Sequence, residues 1–154
     1  MILIEKEYDN VAAFLGFETA HYKIEWTPIE FEELLKKLYP KLNLQKVYLD
    51  KPTKSLNVFQ NWLALEKECV DGKIDALFFP SVDVFCKDMT LCITKIRKLK
   101  KLEKPPTIYF LVEELCSDDE NFENNLIMSL QAKDMVRCFN RRKRKLKRLC
   151  KVIN

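Results

Sequence analysis

The sequence predicts a single α/β domain with a four-stranded, mainly parallel sheet, helices on both faces and a long C-terminal helix. Three observations carry that expectation. Short apolar runs alternate with amphipathic stretches in the order βαβαβαβα, which implies right-handed crossovers and parallel strands. Two of the runs, KIDALFFP from Lys73 and TIYFLVEE from Thr107, are apolar throughout their centres rather than alternating, as strands covered on both faces are. At 154 residues, 47% of them hydrophobic and 32% charged, the chain is long enough to bury one core and is not disordered by composition.

Each element has its own local warrant. Residues 10–17, NVAAFLGF, form the first apolar run and read as a buried strand, although a run this short fits a helix by period alone. Thr27 is placed to cap a helix, with Pro28 at its first position and Glu30 completing a capping box. IEFEELLKKLY then sets Phe31, Leu34, Leu35 and Leu38 on one face, and Pro40 ends it. LQKVYLD, residues 44–50, is strand-like. In the loop KPTKS, Ser55 can cap the helix LNVFQNWLALEKECV, which Asp71 and Gly72 stop. After KIDALFFP, Asp88 caps MTLCITKIRKLKKLE, where Leu91, Ile93, Ile96, Leu99 and Leu102 approximate a helical stripe. Pro105 and Pro106 introduce TIYFLVEE as the fourth strand. From residue 121 to about 148 there is neither Gly nor Pro, so one long helix closes the domain. Trp26, Trp62 and the region of Phe79 read as core rather than as stacking platforms.

Composition excludes several classes. No apolar run approaches the roughly 18 residues of a membrane-spanning helix. MILIEKEYDN lacks the basic start, long apolar centre and small-residue cleavage site of a signal peptide, so a cytoplasmic protein without membrane association is expected. Cys69, Cys86, Cys92, Cys116, Cys138 and Cys150 contain no CxxC pair, and His21 is the single histidine. The thiols therefore read as reduced and structural, and no metal or cofactor is expected.

The net charge of +4 hides a segregation: nine Lys or Arg and no acid lie between residues 137 and 151, leaving 18 cations against 23 acids, a net of −5, elsewhere. Arg137, Arg141, Arg142, Lys143, Arg144, Lys145, Lys147 and Arg148 are thus candidates for contact with a nucleic-acid backbone, the bland alternative being a solvated helix face. In the same helix Met128, Met135, Phe139, Leu146, Leu149 and Ile153 fall at alternating heptad positions, with Ala132 and Arg142 filling the gaps. Such a seam fits pairing with a second helix, hence a dimer, or a helix folded back on its own sheet.

With this order of elements and a long basic final helix, the chain resembles the catalytic domain of the serine site-specific recombinases, the resolvase and invertase family. The resemblance runs through nearly the whole chain. It is carried by VYLDKPTKSLNVFQNWLALEKECVDGKIDALFFPSVDVFCKDM, which follows the family's strand, mobile loop, helix, "GKID" turn, strand and Asp-containing loop. The later VEELCSDDENFENNLIMSLQAKDMVRCFNRRKRK is similar to its fourth strand, variable loop and long helix. The resemblance implies one resolvase-like, three-layer domain over residues 1–154, with residues 121–150 as a dimerisation and DNA-facing helix. No separate recognition domain of the kind family members carry after that helix is expected within residues 1–154.

The resemblance also marks what is replaced. Where the family's first strand ends in Y-x-R-x-S-T, this chain reads FLGFET, so Gly16 stands for the arginine and Glu18 for the nucleophilic serine. The D-R-x-x-R loop is matched by Asp83, Val84, Phe85, Cys86 and Lys87, and Leu56 falls where a mobile-loop arginine belongs. Asp134 matches the family's acid in the long helix and Arg141 a later basic residue. A glutamate cannot replace the serine, because its charge repels a phosphate and its adduct would be a labile mixed anhydride. Each lost preorganised donor costs on the order of 3 kcal/mol of transition-state stabilisation, even if such losses do not add. The expected protein binds the DNA backbone and pairs with itself or with an active recombinase, without strand-exchange chemistry. Two alternatives stand: an active module using another nucleophile such as Ser81, or a Mg²⁺-dependent phosphoryl-transfer site in which Glu18, Asp50, Asp83 and Glu113 or Glu114 converge at strand ends.

Overall fold

The computed structural model describes residues 2–15, 27–49, 60–82 and 89–153, apart from the side chains of Gln60, Arg137, Val152 and Ile153. Its strands are β1 (Val11–Leu15), β2 (Leu44–Leu49), β3 (Ala76–Phe79), β4 (Thr107–Phe110) and β5 (Leu115–Cys116). The helices are α1 (Pro28–Leu38), α2 (Gln60–Val70), α3 (Met89–Lys100) and α4 (Phe122–Ile153). The strands form one sheet in the order β2-β1-β3-β4-β5, with β1 to β4 parallel and β5 antiparallel to β4.

The fifth strand corrects the expected count of four. TIYFLVEE does not run on as one strand: β4 stops at Phe110, and residues 111–114 turn the chain back into β5. Glu114 takes the left-handed conformation, φ 54°, that this tight reversal needs. Continuous apolarity did not reveal the reversal, because Val112 sits exposed at the turn rather than in the core.

Alternation along the strands splits the core into two layers. Ala12, Phe14, Leu77, Phe79, Ile108 and Phe110 face one side, where Trp62 and Leu65 of α2, Cys92, Ile96 and Leu99 of α3, and Phe122, Leu126 and Leu130 of α4 cover them. Val11, Ala13, Leu15, Ala76, Phe78 and Tyr109 face the other, under Phe31 and Leu35 of α1 and the N-terminal Ile2, Ile4 and Tyr8. All of β1 and β3 is buried, as central strands covered on both faces require. Stacked rings lie within each layer, with Phe78 and Tyr109 centroids 4.7 Å apart on one face and Phe79 and Phe110 5.0 Å apart on the other.

The local signals held where they lie in described residues. Thr27 and Glu30 form the capping box on α1, each side chain bonding the other's backbone N–H at 3.2 Å. Gly72 ends the turn after α2 at φ 71°, a conformation that favours glycine. In α3 the buried stripe is Cys92, Ile96 and Leu99; Leu91, expected in it, is exposed, since it lies a third of a turn off that face. The final helix reaches Ile153, past the expected end near residue 148, for no residue there breaks it.

Candidate functional site

Because β1 to β4 are parallel, they all end along one sheet edge, which in open α/β folds is the edge that carries ligands. The positions Gly16, Glu18, Leu56, Asp83, Val84 and Lys87, together with Asp50, His21, Trp26, Ser55 and Asp88, lie outside the described residues. What the described residues build at this edge is a polar cluster that the sequence did not announce. Ser81 and Val82 follow β3, Glu113 follows β4, and Lys133 reaches them from α4.

The cluster is tightly held. The Val82 backbone N–H donates to both carboxylate oxygens of Glu113, each at 3.2 Å. The Lys133 ammonium forms an ion pair with the same carboxylate and donates to Ser81 Oγ at 3.3 Å. The Glu113 side chain is 8% exposed and that of Lys133 25%, so the pair is largely withdrawn from water. Removing one partner of such a pair leaves the other charge poorly compensated. Ser81 therefore sits beside an ammonium, not a free amine that could take its proton, which argues against its service as an activated nucleophile. Of the acids expected near strand ends, Glu113 is committed to this cluster, whereas Glu114 occupies the turn. Among the described residues no group of three or more His, Cys, Asp and Glu is placed to hold a metal ion.

Helix α4 links this cluster to the basic segment. Phe122, Leu126, Leu130 and Lys133 recur at spacings of four, four and three residues, so they lie on one face, and that face packs on the sheet. The same stripe continues by register through Arg137, Arg141, Arg144, Arg148 and Lys151. One face of one helix is thus apolar where it meets the sheet, polar where it passes the sheet edge and basic where it projects beyond. Every described side chain from Asp134 to Lys151 is exposed. Lys145 and Lys147 flank the basic stripe, while Arg142 and Lys143 lie toward the opposite face.

That opposite face carries the apolar seam. Met128, Ala132, Met135, Phe139, Leu146 and Leu149 lie roughly half a turn around from Leu126 and Leu130 at about 3.6 residues per turn. Their side chains cannot fold back on the domain's own sheet, because the helix already presents its other face there. Phe139 is 66% exposed and Met135 73%. Heptad period alone did not settle which way the seam faced; the i, i+4, i+8, i+11 spacing of Phe122, Leu126, Leu130 and Lys133 is the signal that does.

Other sites offer less. A groove of about 450 Å³ beside β5 is lined by Ile2, Lys6, Tyr109, Glu114, Asp118 and Asp119 among others, an acid-rich surface unsuited to a polyanion. Burial pushes the Cys69 thiol up to about 12, with Glu68 and Glu66 adding to it, so it is inert at neutral pH. No helix among the described residues is long and apolar enough to cross a membrane.

No protein-family model matches the sequence. No curated protein matches it by sequence either. By structure, the chain is similar to the N-terminal catalytic domain of TP901-1 integrase, with a TM-score of 0.59 at 12% identity over 89% of this chain and 98% of that one. It is also similar to a resolvase-family site-specific recombinase from Streptococcus pneumoniae, with a TM-score of 0.53 at 10% identity over 90% of this chain and 93% of that one. The fold is that of the resolvase and integrase catalytic domain.

Proposed function

We propose that this chain is a serine-recombinase-like protein that holds DNA without cutting it. A second subunit, either another copy or an active recombinase, pairs along the Met128, Met135, Phe139, Leu146 and Leu149 seam. The DNA backbone lies on the opposite, basic face. The single observation that carries this reading is the continuity of one α4 stripe from Leu126 and Leu130 through Lys133 to Arg141, Arg144 and Arg148. It puts the cations on the side of the helix that faces the sheet's C-terminal edge, so a duplex along the arm lies across that edge. The contacts available are ammonium and guanidinium groups on phosphates, which position a protein without reading bases.

The absence of strand-exchange chemistry rests on the sequence. Gly16, Glu18, Leu56 and Val84 stand where the resemblance expects three arginines and the serine. Regulation of an active recombinase by a mixed pair follows the same logic, because the seam is apolar and would accept a related helix.

The test uses a duplex containing a nick that traps any covalent protein–DNA adduct, together with anisotropy and light scattering on the full chain. Salt-sensitive binding, no adduct, and a dimer that Phe139→Asp converts to monomer are the expected results. A covalent adduct would overturn the inactive reading, and failure of the intact chain to bind at low salt would overturn the DNA role.

A further inference from the structure

Helix α4 carries a charge in the middle of its apolar seam. Lettering the helix in heptads abcdefg puts Ala132, Phe139, Leu146 and Ile153 at a, and Met128, Met135, Arg142 and Leu149 at d. Arg142 therefore stands between the Phe139 and Leu146 layers, and no other a or d position from Met128 to Ile153 is charged. Lys143 and Lys145 take the neighbouring e and g positions, one on each shoulder of the seam. All three side chains are exposed. The acids of α4 are Glu123 and Asp134, which fall at f and c, away from the seam, and Glu123 pairs with Arg97 of α3.

A second copy cannot answer these charges in either direction. In parallel pairing Arg142 faces its own counterpart; in antiparallel pairing d faces a, and every a position from Ala132 to Ile153 is apolar. Either way a guanidinium enters an apolar layer with no carboxylate to compensate it. Self-pairing still closes the other layers, but with that charge left unanswered. Resting on the reading that the seam takes a second helix, we infer that its preferred partner is a helix of a different chain, apolar at its own core positions, with an Asp or Glu opposite Arg142 and acids opposite Lys143 and Lys145. A carboxylate at that layer takes the guanidinium in a bidentate pair. The layer that opposes a second copy thus becomes the layer that selects the partner. The assignment is independent of whether DNA lies on the opposite face.

The experiment uses the full-length chain and, as the acidic probe, its own Arg142→Glu/Lys143→Glu/Lys145→Glu variant, which keeps every apolar seam residue. Sedimentation gives the self-association constants of wild type, probe and Arg142→Leu, and energy transfer between differently labelled chains gives the constant of the mixed pair. The mixed pair should form at least about tenfold more tightly than either self-pair, and Arg142→Leu should tighten self-pairing by at least about tenfold. Phe139→Asp in the wild-type member should abolish the mixed pair, which ties it to the seam. An outer-face probe with the same change of charge, Arg141→Glu/Arg144→Glu/Arg148→Glu, should gain far less, because those positions do not face the partner. Equal gains by the two probes would show that net charge selects rather than the seam, and would overturn the proposal. Pairs that Phe139→Asp abolishes, with no gain in the mixture or in Arg142→Leu, would overturn it while leaving the seam as a pairing surface. No association in any of these proteins would remove the seam reading and the proposal with it. Should Arg142→Leu aggregate, or the two gains disagree, the constant of the mixed pair decides.

Discussion

The salt dependence of DNA binding should be set by one face of α4, and its size follows from the helix geometry. From Arg137 to Lys151 the stripe holds Arg137, Arg141, Arg144, Arg148 and Lys151, spread over about 21 Å at a rise of about 1.5 Å per residue. A B-DNA strand presents roughly one phosphate per 3.4 Å, hence about six over that length, enough to match five cations. Five contacts predict a slope of log K against log salt near −4.5 for each subunit, or a loss of roughly 500-fold in affinity between 50 and 200 mM. Replacing Arg141, Arg144 and Arg148 together by Gln leaves two, with a slope near −1.8 and a loss of only about twelvefold over the same range. Arg142→Gln removes the same kind of charge from the seam side and should leave the slope near −4.5, where loss of one stripe cation would bring it to about −3.6. Fluorescence anisotropy of a labelled duplex at four salt concentrations gives all three slopes. If Arg142→Gln lowers the slope as much as each residue of the trio does, the charge acts as a diffuse cloud and the face argument fails.

Further outcomes follow from packing and from buried titrating groups. Leu126→Ala and Met128→Ala lie two residues apart on opposite faces of α4. The first should cost about 2–5 kcal/mol and the second well under 1 in denaturant unfolding of the monomer. Burial raises the Tyr48 and Tyr109 hydroxyls, helped by Glu68 and by the Tyr8 hydroxyl respectively, and it raises the Cys69 thiol to about 12. These groups stay protonated in the folded chain at pH values where the unfolded chain ionises them. Their stabilisation is therefore fully present below about pH 9 and is lost as pH rises beyond it, so alkaline unfolding should begin there and shift upward in Tyr109→Phe. Mapping of alkylated peptides at pH 8 should find Cys138 and Cys150, both exposed, modified within minutes, and the buried Cys69 and Cys92 modified only on unfolding.

The layered fold was legible because its signals are local and repeated. A capping box, a Gly-bearing stop and runs of apolar residues each fix one element, and their alternation leaves few topologies. The β4–β5 reversal was not legible: Leu111 and Val112 extend the apolar run, and nothing in composition separates a turn that exposes valine from a strand that buries it. The orientation of α4 lay in the sequence but was hidden by competition between two periodic patterns. One is the seam at Met128, Met135 and Phe139; the other, the stripe through Phe122, Leu126, Leu130 and Lys133, decides what the helix packs against. The Glu113, Lys133 and Ser81 cluster could not be found from spacing at all. Its members are separated by 20 and 52 residues and meet only because parallel strands and a helix end at one edge.

The arm's two faces should not act independently. From Asp134 onward α4 has no tertiary support among its described side chains, and a helix of some 20 residues without packing is marginal in water. Arg137 with Arg141, Arg144 with Arg148 and Lys147 with Lys151 are like-charge pairs four residues apart, each destabilising by about 0.2–0.5 kcal/mol. A polyanion on the basic face removes that repulsion, and a second helix on the seam covers exposed Met135, Phe139, Leu146 and Leu149. Either partner stabilises the same helix that the other needs, so binding of one must favour the other. A short polyphosphate, too small to bridge two arms, should therefore raise helicity by circular dichroism and tighten dimerisation measured by sedimentation. The effect should vanish in the Arg141, Arg144 and Arg148 triple variant. If saturating polyphosphate leaves the dimer constant unchanged, the arm is already fully helical alone, and its faces are separate surfaces on a rigid rod.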